Sequence, residues 1–297
     1  MNKYDLNKLK SYILENNPHI FLNNLPKPLN QEKINFIIDF IITETSKEDY
    51  FKLGQDLISI WNQKSKKIGF SLIAVYWREN QESMKEYLIK LANDPDWGTR
   101  EYAAKLWAVV LTENYENSYN WTKNLVQQGT NYTKRTIALA AKYSALERKH
   151  GREEKLLQLL EPLLSNKDKY IRKNLGPFAL AAFLRAYPNL TIPKLKKWSR
   201  MDDKQIRWNV AKSFASSGGT TSWPLGNEIL TQLATDKRRY VWKAVSSALH
   251  YLGRKKPNEI IPLLKQWLLD SNRKHVAEDA LHYISKKKEK EKKKVKS

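Results

Sequence analysis

Four arginines recur along the chain at near-constant intervals. Arg100, Arg135, Arg172 and Arg207 are separated by 35, 37 and 35 residues, and Trp242 occupies the same slot 35 residues later. Cations repeated with the period of one structural unit suit the phosphates of a nucleic-acid backbone. Lys134, Lys173, Lys237, Arg238, Arg239 and Lys243 cluster beside these slots. Trp97, Tyr132, Tyr170, Trp208, Tyr240 and Trp242 interleave with them, and such rings stack on sugars or bases when exposed. An acid, Glu101, stands directly after Arg100 and four residues after Trp97. A carboxylate opposes polyanion binding, so binding alone gives no reason to place one there. Its structural role would be that of a helix N-terminal residue favoured by the macrodipole, or an i,i+4 partner of Lys105.

Two roles suit the arginine slot. It could be structural, each guanidinium pairing with an aspartate of a neighbouring repeat. Or the starts of successive helices could line one face and offer cations, dipoles and free N–H groups to phosphate. The few carboxylates near the clusters favour the second.

The elements that position these residues are helices. Each slot opens a similar stretch: Trp97-Gly98-Thr99-Arg100-Glu101-Tyr102-Ala103-Ala104, Tyr132-Thr133-Lys134-Arg135-Thr136-Ile137-Ala138, Tyr170-Ile171-Arg172-Lys173-Asn174-Leu175, Gln205-Ile206-Arg207-Trp208-Asn209-Val210-Ala211 and Tyr240-Val241-Trp242-Lys243-Ala244-Val245. A degenerate sixth copy begins at His275. A period near 35 residues fits two helices of about 13 residues with their turns. Asp94-Pro95-Asp96, Ser165 to Asp168 and Met201-Asp202-Asp203 are turn and N-cap signals before the repeated helices. Leu156, Leu157, Leu160, Leu163 and Leu164 follow helical spacing in the intervening segment, as do Ile260, Ile261, Leu263, Leu264, Trp267 and Leu268. The first 90 residues lack the slot but carry helical stripes, Ile34, Ile37, Ile38, Ile41 and Ile42, then Leu53, Leu57, Ile58 and Trp61, and read as atypical capping helix pairs. The expectation is an all-α, HEAT-like helical-repeat solenoid forming one domain over residues 1–285, with repeats over 91–285. A basic disordered tail is expected over 286–297. Ser216 to Ser222 reads as a loop between repeats.

Composition bounds the partners. The net charge is +22, which attracts polyanions. The tail holds eight lysines and two glutamates, net +6, so the rest still carries +16. No apolar run of about 18 residues is present, no apolar signal core opens the chain, and no membrane association is expected. Cysteine is absent, which rules out disulfides and thiolate–metal sites. No histidine pair has metal-ligand spacing, and no glycine-rich nucleotide fingerprint follows a strand pattern. No metal and no cofactor are expected, and a cytoplasmic location follows by default.

The repeat resembles the DNA alkylation repeat family, the HEAT-like AlkD/AlkC-type alkylpurine DNA glycosylases. The resemblance spans roughly Leu91 to Ile284 and rests on the stretches at Arg100, Arg135, Arg172 and Arg207 quoted above. It implies a right-handed superhelix whose basic concave face clasps duplex DNA, and excision of N3- and N7-alkylated purines. Such a base already carries positive charge and leaves readily. A carboxylate then stabilises the oxocarbenium-like sugar and orients a water. Arg100-Glu101-Tyr102-Ala103 stands where AlkC-type members carry Ser-Glu-Phe-Ala, which makes Glu101 the catalytic match. The second glutamate of that type has no counterpart in Arg135 to Ala140, and the Trp-Asp cluster of AlkD-type members has no match.

The resemblance points to a monomeric, cytoplasmic, nucleoid-associated protein of bacterial type. It would bind double-stranded DNA, alkylated or distorted, through Trp97, Arg100, Lys134, Arg135, Arg172, Lys173, Arg207, Trp208, Arg239, Trp242 and Lys243. Two alternatives stay open: a non-catalytic DNA-binding relative, and a helical scaffold for an acidic protein.

Overall fold

The computed structural model describes the backbone of every residue except Met1, Asn2, Asn16, Trp61, Arg78, Glu79, Asn114, Lys296 and Ser297. It also describes their side chains, apart from residues 3–6, 63, 81, 83, 113 and 287–295. All regular elements among the described residues are helices. They separate into two compact units, Met1–Val110 and Leu111–Ser297, where the sequence suggested one domain. The boundary falls inside a helix.

Unit 1 contains α1 (Lys3–Leu14), α2 (Pro18–Asn23), α3 (Gln31–Glu44), α4 (Lys47–Ser59), α5 (Gln63–Trp77), α6 (Gln81–Ala92) and most of α7 (Trp97–Glu113). The isoleucine stripe forms as expected. Ile34, Ile37, Ile38 and Ile41 are buried against Leu53 and Leu57 of α4 and Ile68 and Leu72 of α5, while Ile42 is half-buried and Trp61 lies outside the described residues. Asn30 and Ser46 cap α3 and α4 by accepting from the backbone N–H groups of Lys33 at 2.9 Å and Asp49 at 3.2 Å. Helices α4 and α5 cross closely: a Cβ on Gly69 would lie 2.7 Å from the Gly54 carbonyl oxygen. That contact fixes α5, which carries one wall of the site described below.

Unit 2 contains α8 (Tyr115–Gln128), α9 (Asn131–Leu146), α10 (Glu153–Gln158), α11 (Lys169–Asn174), α12 (Ala181–Ala186), α13 (Pro188–Ser199), α14 (Lys204–Ser213), α15 (Ser217–Thr221), α16 (Trp223–Leu233), α17 (Arg239–Lys255), α18 (Pro257–Trp267) and α19 (Lys274–Val295). Helices α9, α11–α12, α14, α17 and α19 pack in sequence as a row, each on the next. The N-cap signals at Asp168 and Asp203 hold for α11 and α14, and Thr130, not among those signals, caps α9 in the same way; each accepts from backbone N–H groups in the first turn. Each carries its side-chain oxygen to an otherwise unpaired donor.

Two expectations are corrected, and one local feature is unexpected. The glycine-bearing stretch after α14 is the short helix α15, with Gly218 and Gly219 buried. A Cβ on Gly218 would lie 2.7 Å from the Arg185 nitrogen, so these glycines serve close packing rather than phosphate. Between α11 and α12 the chain makes a π-turn, Leu175–Leu180. Pro177 sits in it without an N–H to donate, and the wider turn spares the helix a missing bond. The tail expected to be disordered continues α19 as helix to Val295, since lysine and glutamate are good helix formers.

Candidate functional site

Helix α7 begins at Trp97, and helical spacing puts Trp97, Glu101 and Lys105 on one stripe. That stripe, with Tyr102, lines a cavity of about 430 Å³ whose other walls are Asn62, Lys66 and Asp96. Trp97 is 63% exposed, so its indole stands out at the mouth. Glu101 is half-buried.

Asp96 and Lys66 form the fixed part of the wall. Lys66 is buried and pairs with Asp96 Oδ2, and its ammonium also donates to Thr99 Oγ1 at 3.1 Å. Asp96 Oδ2 accepts from the Thr99 N–H at 2.7 Å and the Thr99 hydroxyl at 2.8 Å, capping α7. Burial pushes the Asp96 carboxyl up, but the hydrogen bonds from Lys66 and Thr99 outweigh it and hold the group down to about 2, against an ordinary 3.8. A pKa depressed by folding stabilises the fold above its unfolded value, and that stabilisation is lost as pH falls through the folded one. Asp96→Asn should therefore lower the melting temperature at pH 5 and above, and its deficit should shrink between about pH 4 and 2. Thermal melts of both proteins across that range check it; a deficit constant with pH would contradict the assignment.

The arginine slot turns out to be largely internal. Arg100 is 7% exposed, and its Nη1 donates to the carbonyl oxygens of Asp94 and Pro95, the latter at 2.8 Å. Arg135 is 3% exposed. Arg207 donates from Nε to the Met201 carbonyl oxygen at 2.7 Å and from Nη1 to Asp236 Oδ2 at 2.7 Å. Lys243 pairs with Asp279, which also accepts from the Ser246 hydroxyl. Arg100 and Arg207 bond to carbonyls of the turn before their own helices, Arg207 also pairs with Asp236 at the edge of the cluster of Lys237, Arg238 and Arg239, and Lys243 pairs with Asp279. Of the residues expected to face phosphate, Arg100 and Arg135 are buried, while Arg207 and Lys243 are half-buried and paired with Asp236 and Asp279. Register explains Arg135. Arg172, Arg207 and Trp242 each stand four residues after their N-caps, Asp168, Asp203 and Arg238. In α9, capped by Thr130, that position is Lys134, and Arg135 is one residue late.

A different set of cations remains in unit 2. Lys134 is half-buried, Lys173 and Arg239 are exposed, and none of the three has an ion pair among the described residues. Arg172 pairs with no carboxylate there either; its Nη1 donates to the Tyr240 hydroxyl at 3.1 Å, and its guanidinium lies 5.9 Å from the centre of that ring. The Tyr240 hydroxyl in turn donates to Gln205 Oε1 at 2.7 Å. The aromatics form a ladder between neighbouring row helices. Tyr132 meets Tyr170 at 5.3 Å, Trp208 stacks on Tyr240 at 5.6 Å, and Trp242 meets His275 edge-on at 4.8 Å. Trp208 and Trp242 are half-buried, so most of each ring packs between helices.

Two cations beside the ladder are not apparent from the repeat pattern. Lys169 lies 5.0 Å from the Tyr170 ring centre and Lys212 lies 5.9 Å from that of Trp208. Lys212 donates to Ser247 Oγ at 2.9 Å with no carboxylate beside it, and burial pushes its ammonium below the ordinary lysine range. A signal for it exists, since Lys212 stands four residues after Trp208 on one helix. Lys66 and Asn62 of the pocket have no such signal. They come from α5 and the turn before it, far along the chain from α7.

Among the described residues no helix is long and apolar enough to cross a membrane, and no cluster of three or more His, Cys, Asp or Glu side chains could hold a metal ion. No protein-family model matches the chain, and no curated protein does. Two crystal structures of engineered proteins are similar in part, each 18% identical with a TM-score of 0.32. They cover 67% and 68% of this chain and 97% and 96% of their own. A likeness at that score carries no argument about fold or function.

Proposed function

We propose that this protein is a HEAT-like helical-repeat protein that binds double-stranded DNA and excises N3- or N7-alkylated purines from it. The observation that carries the reading is the α7 pocket: a carboxylate, Glu101, beside an exposed indole, Trp97, in a chain of net charge +22. A chain that recruits polyanions gains nothing in affinity from an acid in such a place. An acid does serve where positive charge develops, as on the deoxyribose when a cationic purine departs. The exposed indole face gives a base or sugar something to stack on.

DNA affinity on this reading comes from Lys134, Lys169, Arg172, Lys173, Lys212 and Arg239, whose charges no carboxylate in unit 2 neutralises among the described residues. Affinity for duplex DNA should then fall steeply with salt. The triple variant Lys134→Gln/Lys173→Gln/Arg239→Gln should reduce the log–log slope by about 0.9 for every phosphate that it no longer neutralises. Lys123→Gln/Lys149→Gln, two neutralisations on exposed lysines away from this row, should leave the slope nearly unchanged. An affinity insensitive to salt would discard phosphate binding by this row.

Methylated duplex DNA incubated with the full chain tests the chemistry. Release of free 3-methyladenine or 7-methylguanine is the expected result. Salt-dependent binding without release would leave the DNA-binding, non-catalytic reading. The pairing of Asp96 with Lys66 favours that second reading, because it commits Asp96 to structure and leaves Glu101 as the other carboxylate lining the pocket.

A further inference from the structure

Beside the Glu101 pocket, and sharing Tyr102 and Lys105 with it, unit 1 carries a larger recess of about 630 Å³. It runs between matching stripes of two helices, with Lys64, Lys67 and Ser71 on α5 and Tyr102, Leu106 and Val109 on α7. Its floor is apolar, built from Ile34, Phe70 and Leu106. Its charges are all of one sign: Lys64, Lys67 and Lys105 line it, and no carboxylate does.

Neutral groups hold two of those ammoniums. Lys67 donates to the Gln31 side-chain oxygen. Lys105 lies 4.9 Å from the centre of the Tyr102 ring, which stacks on Phe70 at 4.7 Å with the planes 11° apart. None of the three lysines has an ion pair among the described residues. Three like charges gathered over apolar surface repel one another and raise the local potential for an anion. A bare anion would leave the floor wet, and a neutral apolar molecule would leave the charges unanswered. The volume also lies in the range of small-molecule sites, about 300 to 1,000 Å³.

We infer that this recess binds a small amphipathic anion, a carboxylate, sulfonate or phosphate head carried on an alkyl or aryl body. The head sits among Lys64, Lys67 and Lys105, and the body covers Ile34, Phe70 and Leu106. The site is independent of the DNA reading, so a protein that neither binds nor cleaves DNA still has it.

Anilinonaphthalene sulfonate added to the full chain is the probe, since its fluorescence rises in apolar surroundings. One saturable site is expected, emptied by dodecanoate and by dodecyl phosphate but not by dodecyltrimethylammonium or inorganic phosphate. Lys64→Glu/Lys67→Glu should weaken the probe at least about tenfold, from the reversal of two nearby charges. Lys123→Glu/Lys149→Glu, two equal reversals on exposed lysines of unit 2, should leave it unchanged. Ala74→Trp fills the recess and should abolish binding with the cooperative thermal transition retained. Non-saturable binding, displacement by the cationic surfactant, or equal weakening in the control pair would each overturn the assignment.

Discussion

On the proposed glycosylase reading, Glu101→Gln should lose excision of alkylated purines by about 100-fold or more while DNA affinity holds or rises. The substitution keeps the shape of the pocket and removes one negative charge. If the carboxylate stabilises the cationic sugar only as the glycosidic bond breaks, its loss falls on the transition state, and kcat carries the defect. Binding moves the other way, because a charge that repels phosphate has gone. Single-turnover release of free base, with affinity measured on the same duplex, separates the two effects. Equal rates for the two proteins would remove Glu101 from the chemistry. Equal losses in rate and affinity would make it a structural residue.

Asp236→Ala should destabilise the fold by about 1.5 to 3 kcal/mol, the range for losing hydrogen bonds to a charged group, since the guanidiniums left behind keep access to water. The Asp236 side chain is 3% exposed and accepts from Arg207 Nη1 at 2.7 Å and from Arg238 Nη2 at 2.6 Å and Nε at 2.9 Å. It also caps the turn by accepting from the Arg238 N–H at 2.9 Å. Burial alone would raise its pKa; the hydrogen bonds from Arg238 and Arg207 overcome that and hold the carboxyl far below the usual range. Its contribution is therefore present above the ordinary carboxylate pKa and persists well into acid before it is lost. Urea unfolding at pH 7 reads the cost directly. A change below about 1 kcal/mol would mean that Arg207 is not tied down by this acid, and would return it to the set available for phosphate.

How much of the molecule is legible in its sequence depends on range. The stripes of Ile34 to Ile41 and Leu156 to Leu164 and the caps at Asp96, Asp168 and Asp203 rest on neighbours a few residues away, and they form as their spacing predicts. The arginines do not yield in the same way. Arg100 and Arg207 bond to main-chain carbonyls, which every residue type provides and no pattern advertises. The acid that holds Arg207 sits in the turn before the next row helix, among Lys237, Arg238 and Arg239, where it is easily outweighed by its neighbours. Matching residue type misplaces Arg135; counting from the cap puts Lys134 in its place. The pocket is half visible. Trp97 and Glu101 share a helix, but Lys66 reaches Asp96 from α5, and only folding brings them together. The division at Val110 has no signal, because it falls within a continuous helix.

The commitment of Arg100 and Arg207 to turn carbonyls and Asp236 bears on selectivity. Guanidinium forks can read a guanine edge with two parallel bonds, whereas an ammonium is a point charge that meets any phosphate equally well. Of the six cations assigned above to DNA, four are lysines, Lys134, Lys169, Lys173 and Lys212, and two, Arg172 and Arg239, carry forks. On the proposed DNA reading, lysines of this kind would hold a duplex with little regard to its sequence. Discrimination between one nucleotide and the next would then rest on how well the base fits against Trp97, and not on the strength of the grip.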